Sequence, residues 1–205
     1  MPLIVDGQFW IGVGLLALLT LSPGASTALV GAVAAGHGRR AAVITTLGIA
    51  TGILAHAAAS GLGLSVVLAA SPEAFTIVKI GGALYLAFLG IRTIMRSGRR
   101  GTGVAPTPSG RDFYARGLLT NLLNPQVAIF YLTFLPQFIR PSEPVFAKSL
   151  LFGLSHAAIA LSWFAVYAYG VTTLAAHVRS ARPWIERVSA IVLIGFAVRL
   201  LQLPR

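Results

Sequence analysis

Apolar runs of about twenty residues recur from one end of this chain to the other, and that is the length a helix needs to cross the hydrocarbon core of a bilayer. No other feature constrains the fold as strongly, because a segment in lipid must satisfy its own backbone hydrogen bonds and a helix does so within one segment. The 205 residues are 56% hydrophobic and only 10% charged, against roughly 25% charged in a soluble domain. A water-soluble fold of this size could not cover itself. The expectation is an all-α membrane protein with six transmembrane helices, drawn at Trp10 to Ala35, Ala41 to Ala70, Phe75 to Ile94, Gly117 to Ile139, Phe146 to Ala176 and Trp184 to Leu203. The longer runs leave room for tilt, kinks or extension into the interface.

Charge sets the expected orientation, since cytoplasmic loops retain lysine and arginine. The first, third and fifth loops hold ten: Arg39, Arg40, Arg96, Arg99, Arg100, Arg111, Arg116, Arg179, Arg182 and Arg187. The opposite face has Arg140, Lys148 and Arg205, while Lys79, Arg92 and Arg199 fall near span ends, where long side chains snorkel to headgroups. Both termini are therefore expected outside. The small residues Ala32, Val33 and Ala34 resemble a signal-peptidase site. The preceding segment has no positive charge and carries Asp6 instead, so Met1 is expected to be retained. A net charge of +11 without aromatic interleaving fits lipid headgroups and topology and excludes a nucleic-acid partner. The absence of cysteine excludes thiol redox chemistry and cysteine metal sites. No metal or cofactor is implied, and the sequence leaves a homo-oligomer open.

The stretch 97–116, rich in Gly, Pro, Ser and Thr, reads as a basic cytoplasmic linker. It separates a first three-helix repeat, 1–96, from a second, 117–205. Polar residues interrupt the first span of each half: Leu19-Thr20-Leu21-Ser22-Pro23-Gly24 in one and Leu119-Thr120-Asn121-Leu122-Leu123-Asn124-Pro125 in the other, the prolines 102 positions apart. Each half also has a histidine in its second span, His56 and His156, and a third span ending in Gly90-Ile91-Arg92 or Ala197-Val198-Arg199. Three is an odd number, so the second repeat must cross the membrane inverted, in agreement with the arginine count. Inverted repeats with paired interruptions are the architecture of secondary transporters, whose substrates bind where the broken helices meet.

Proline lacks an N–H and clashes with the carbonyl one turn back, freeing backbone acceptors. Such groups survive in a membrane only inside protein or beside a wet cavity. Ser22, Pro23, Gly24, Ser26 and Thr27 at one interruption, and Asn121, Asn124, Pro125 and Gln126 at the other, are the expected substrate-binding residues. A helix start offers N–H donors and a positive dipole end to a carboxylate, while released carbonyls suit an ammonium. Together they describe a zwitterion site; the bland alternative is two kinks that shape the bundle. Replacing Asn124 by alanine is expected to harm transport more than folding. Gly48, Gly52, His56 and Ser60 recur every fourth residue as a stripe of small and polar side chains suited to close helix contact. Histidine titrates nearest neutral pH, and no carboxylate lies deep in any span, so His56 and His156 are the candidates for proton coupling. The competing role is a histidine hydrogen-bonded across a helix interface.

These pieces resemble the lysine exporter (LysE/RhtB) family of amino-acid efflux proteins over nearly the whole chain. The motifs that carry the likeness are Pro23-Gly24-Ala25, the basic turn Gly36-His37-Gly38-Arg39-Arg40, Lys79-Ile80-Gly81-Gly82-Ala83-Leu84-Tyr85-Leu86, Gly117-Leu118-Leu119-Thr120-Asn121-Leu122-Leu123-Asn124-Pro125, and Phe134-Leu135-Pro136-Gln137-Phe138. The resemblance implies export of a small amino acid or related zwitterion across the bacterial inner membrane, with an amino-acid substrate as partner and no enzymatic activity. Two positions depart from it. Ala25 stands where the family has a second proline. Gln126 stands where it has lysine, so a carboxylate-pairing role for that lysine does not carry over. A passive channel for small solutes is the closer alternative; an accessory membrane subunit is another. An intramembrane hydrolase built on Ser26 and His156 would need an oxyanion hole and a positioned base, neither visible in the sequence.

Overall fold

The computed structural model describes residues 5–22, 24–63, 80, 84, 87–88, 91, 95, 109–131, 135–140, 142–177, 184, 187–188, 191, 194–195 and 198. Among them the regular structure is all helical: α1 (Gly7–Leu21), α2 (Ala25–Gly61), α3 (Gly110–Leu122), α4 (Pro125–Ile129) and α5 (Val145–His177), with a 3-10 turn at Leu135–Phe138. Pro23, the linker from 97 to 108, the second span beyond Gly63, most of the third and sixth spans and both chain ends lie outside the described residues.

Each helix start has a local cause. Asp6 caps α1 by accepting a 2.9 Å hydrogen bond from Phe9 N. Ser109 and Asp112 form a capping box that begins α3 at Gly110, inside the stretch read as linker, rather than at Gly117. The long run of α2 is two helices joined at Gly38, whose φ of 83° is the one non-helical conformation within it. Glycine enters that region without a Cβ penalty. A single residue therefore turns the chain where the sequence suggested a loop of several.

α2 is the central element and packs against both α5 and α3, while α1 lies on α5. From Arg39 to Gly61 the second arm of α2 rises roughly 34 Å at 1.5 Å per residue, enough to cross a bilayer. Its stripe of small residues is an interface. Gly48 faces the backbone of Tyr114 and Leu118, and Gly117 of α3 faces the backbone of Thr45. Glycine at each contact lets the helices approach backbone to backbone. On α1 the buried residues Phe9, Gly12, Leu16 and Thr20 share one face, whereas Trp10, Ile11, Leu15 and Leu18 are exposed. Apolar residues on both faces are what lipid contact requires. The isolated described residues of the third and sixth spans are helical, with Leu84, Phe88, Ile91 and Met95, and Trp184, Val188, Ile191 and Val198, exposed at spacings of three, four and seven.

The start of α5 holds a buried cation. Lys148, with no side-chain exposure, bonds both Glu143 oxygens at 2.8 and 2.9 Å and lies 3.7 Å from Asp6. Arg140 adds a 3.5 Å contact with Asp6 and donates its backbone N–H to Glu143 Oε2 at 2.7 Å. The sequence reading counted Lys148 and Arg140 only as loop charges; folding makes them a clamp between the start of α1 and the start of α5. The Phe9 N–H, and behind it Lys148 and Arg140, hold the Asp6 carboxyl below its usual range. The Lys148 ammonium, then the Arg140 N–H, does the same for Glu143. Lowered values mean that the clamp contributes fully above the ordinary carboxylate range and is lost as pH falls through them. Melting temperature in detergent should thus be level through neutral pH and fall only below about pH 4. The Glu143→Gln variant should melt lower at pH 7 and show a shallower acid limb.

Candidate functional site

α1 ends at Leu21 and α2 begins at Ala25, leaving Ser22 and Gly24 in extended conformation. α3 ends at Leu122, and α4 begins at Pro125 after the extended Asn124. Pro125 thus sits at the first position of a helix, where its missing N–H costs nothing, rather than inside one. Asn124 caps that helix by accepting from Gln126 N at 3.0 Å. Gly24 caps α2 with no side-chain hydrogen bond, so the first N–H groups of α2 have neither an intrahelical nor a capping side-chain partner.

Both helix ends border one cavity of about 30 Å³. Ser22, Gly24, Ser26, Thr27, Asn121, Asn124, Gln126 and His156 line it, all of them expected from the sequence. Thr20 of the first interruption lines it too, while Ile49, Ile53, Ala160 and Phe164 complete much of the wall and were not anticipated, since apolar wall residues look like any other core residue. His156, expected from the sequence as a proton-coupling residue, is at the cavity and is 2% exposed.

Two polar atoms of cavity-lining residues, Ser26 Oγ and Asn121 Oδ1, are buried without a hydrogen-bond partner among the described residues, the latter packed against Gly52 of α2. Such atoms carry a desolvation cost that a ligand or water relieves. Thr20, by contrast, donates to Leu16 O at 2.8 Å. The carbonyl opened between α3 and α4 is not free, because Asn121 O accepts from Asn124 N at 3.0 Å and from His56 Nε2 at 3.2 Å. A carbonyl only accepts, so His56 carries its proton on Nε2. His56 is absent from the cavity wall, and the next residue of its stripe, Ser60, donates to Tyr131 O at 2.8 Å.

Tyr131 is the residue the sequence gave no sign of. It is 1% exposed, and its ring lies nearly parallel to those of His56 and His156, with centroids 6.0 Å from each. Its hydroxyl lies 3.3 Å from His156 Nδ1. Ser26 and His156 share the cavity without forming a nucleophile and base pair, for Ser26 Oγ has no partner and the hydrogen bond of His156 goes to Tyr131.

At the Gly38 end of the bundle, Arg39 reaches α5. Its Nε donates to Thr172 Oγ1 at 2.9 Å, a terminal nitrogen donates to Thr173 Oγ1 at 3.3 Å, and the guanidinium lies 4.1 Å from the Tyr169 ring centre. The cavity therefore sits in a bundle whose two ends are tied by different chemistry, an ion cluster at one and hydroxyl and aromatic contacts at the other.

Comparison with known proteins gives this arrangement a family. The family model described as LysE type translocator matches residues 17–203. A homoserine/homoserine lactone efflux protein of Salmonella typhimurium is 32% identical over 166 residues, covering 80% of this chain and 81% of the relative. A threonine efflux protein of Escherichia coli is 28% identical over 189 residues, 88% of this chain and 91% of the relative. An uncharacterised membrane protein of Bacillus subtilis is 28% identical over 195 residues, 89% and 93% of the two chains. No solved structure matches this chain. With apolar helices built for a bilayer and a family match that runs through both polar interruptions, the chain belongs to the LysE type translocators, multi-pass membrane proteins that are transporters and not enzymes.

Proposed function

We propose that this protein is a secondary transporter that exports a small zwitterionic amino acid across the bacterial inner membrane, coupled to protons. In this reading six transmembrane helices form two inverted three-helix repeats, the first helix of each broken near Pro23 and Pro125, with both termini outside. The observation that carries it is the shared cavity, where the start of α2 and the α3–α4 junction present unlike polarity. The uncapped N–H groups at Gly24 to Ser26, at the positive end of α2, suit a carboxylate. The unpartnered Asn121 Oδ1 suits an ammonium. With Asn121 O already taken by His56 and Asn124, the side chain rather than the freed backbone is the acceptor. The names of the relatives, efflux of threonine and of homoserine, agree with a small amino-acid substrate and supply the direction.

A cavity of about 30 Å³ holds only about one or two waters, so an amino acid enters after one end opens. The ties at the two ends are the natural gates. Arg39 against Thr172 and Thr173 closes the cytoplasmic end, in keeping with the arginine asymmetry, and the Asp6, Arg140, Glu143 and Lys148 cluster closes the outer end. Each joins an element before the linker to α5 after it, so rocking of one repeat against the other opens them in turn.

The test is efflux from proteoliposomes loaded in turn with threonine, homoserine and other amino acids, with and without a proton gradient. Movement against the amino-acid gradient driven by protons supports the reading. Flux that only follows the amino-acid gradient would make the protein a channel, and flux of no amino acid would remove the substrate class. Of the two histidines that the sequence offers for proton coupling, His56 is the proposed proton carrier. The His56→Gln variant retains a donor for Asn121 O and removes the titration; it should fold normally and export with a flattened dependence on pH. A pH profile identical to that of the wild type would take His56 out of the coupling.

A further inference from the structure

We propose that Tyr131 is a positioning residue for export: its hydroxyl fixes the tautomer of His156, so that His156 presents an Nε2–H to the carboxylate of the substrate. The argument starts from the hydrogen of the phenol. Tyr131 is 1% exposed, and among the described residues its hydroxyl has one partner, His156 Nδ1 at 3.3 Å. If Nδ1 carried the proton and donated to the tyrosine oxygen, the phenol hydrogen would be left unbonded in a dry interior. If the tyrosine donates to the Nδ1 lone pair, both groups are satisfied, and the imidazole hydrogen resides on Nε2. Only the second arrangement leaves no buried donor stranded.

Geometry then assigns that hydrogen a use. His156 lines the cavity and Tyr131 does not, so the nitrogen not engaged by tyrosine is the one left for a ligand. The fixed Nε2–H joins Ser26 and the start of α2 as donors at the cavity that Asn121 also lines. Tyr131 is itself held from both sides. Ser60 donates to its backbone carbonyl at 2.8 Å, and its ring lies nearly parallel to the two imidazoles at interplanar angles of 14° and 18°. The chain widens into a π-type turn at Phe130 and Tyr131, a local irregularity that often accompanies function. A tyrosine kept only for packing would need the ring alone; the hydroxyl aimed at a cavity-lining histidine is what packing does not explain.

This inference rests on the zwitterion reading and is tested apart from it. In protein labelled with ¹⁵N-histidine, and with the His156 signal assigned by its loss in His156→Gln, the wild type should show the Nε2–H tautomer. The Tyr131→Phe variant, which keeps the stacked ring, should show a mixture. A wild-type His156 protonated on Nδ1 overturns the proposal without any transport measurement. In proteoliposomes, Tyr131→Phe should raise the KM for threonine roughly tenfold, as expected for loss of a hydrogen bond to a charged group. It should leave unchanged the affinity for threoninol, in which a hydroxymethyl replaces the carboxylate. His156→Gln should show the same preference, and the double variant should be no worse than His156→Gln alone, because tyrosine acts through the histidine. Equal weakening of both ligands, or additive losses, would reduce Tyr131 to a structural residue while the zwitterion reading stands. A wild-type protein that handles no amino acid sinks both.

Discussion

Asn121→Leu should weaken export at least tenfold and leave the protein about as stable as the wild type. The two halves of that expectation have one cause. Asn121 is 1% exposed, and its Oδ1 has no hydrogen-bond partner among the described residues. Replacing an unsatisfied buried polar group by an apolar one removes a desolvation cost of about 1–3 kcal/mol that the native chain bears, which offsets the extra methyl bulk set against Gly52. Folding loses nothing, since the backbone carbonyl that holds His56 and Asn124 remains. The substrate loses its ammonium acceptor, a hydrogen bond to a charged group worth about 1.5–3 kcal/mol, hence a roughly 10- to 150-fold weaker site. Thermal unfolding in detergent, measured beside efflux on the same preparation, separates the two. Asn124→Ala should behave differently, losing about 1 kcal/mol of stability as well as export, because its Oδ1 caps the Gln126 N–H. The sequence assigned both asparagines to the substrate; the structure gives the second a capping duty in addition. An Asn121 variant that melts well below wild type would show that its amide is structural after all.

Gly117→Val should yield no folded protein. A Cβ at that position would run into the Thr45 carbonyl across the interface, with the backbone nitrogen of Ile49 only 3.1 Å away. Overpacking costs about 1–3 kcal/mol where side chains can yield. Here the neighbour is the backbone of α2, so the whole helix must move. Gly48 makes the reciprocal contact with Tyr114 and Leu118, and shifting either helix separates both, together with His56 from Asn121 O. Gly48→Val should fail for the same reason. Gly14, which has nothing within 4 Å of an added Cβ, is the control: Gly14→Val should express and run as a single species on size exclusion. Recovery of Gly117→Val at wild-type yield and melting temperature would mean that α2 and α3 do not meet closely at all.

What the sequence determined by itself was local or periodic. Apolar runs long enough to cross a bilayer set the helical class, because lipid leaves the backbone no other partner. Ser22, Gly24 and Asn124 lie where described helices end or begin, because small and polar cap residues act on their own few neighbours. The Gly48 to Ser60 stripe announced an interface through its spacing of four. Even the start of α3 was written in Ser109 and Asp112, a capping signal obscured by the basic, proline-rich residues before it. Tertiary structure alone decided what met what. Only folding sets the stripe of α2 against the α3–α4 junction, so that His56 spends a hydrogen bond on a backbone carbonyl rather than facing the cavity. Only folding brings Asp6 to Lys148 and turns a presumed loop charge into a buried one. Tyr131, an aromatic residue in an apolar run, carries no local mark of its place beside two histidines. Its partners lie on other helices, and contacts between helices depend on packing, which single-chain periodicity does not encode.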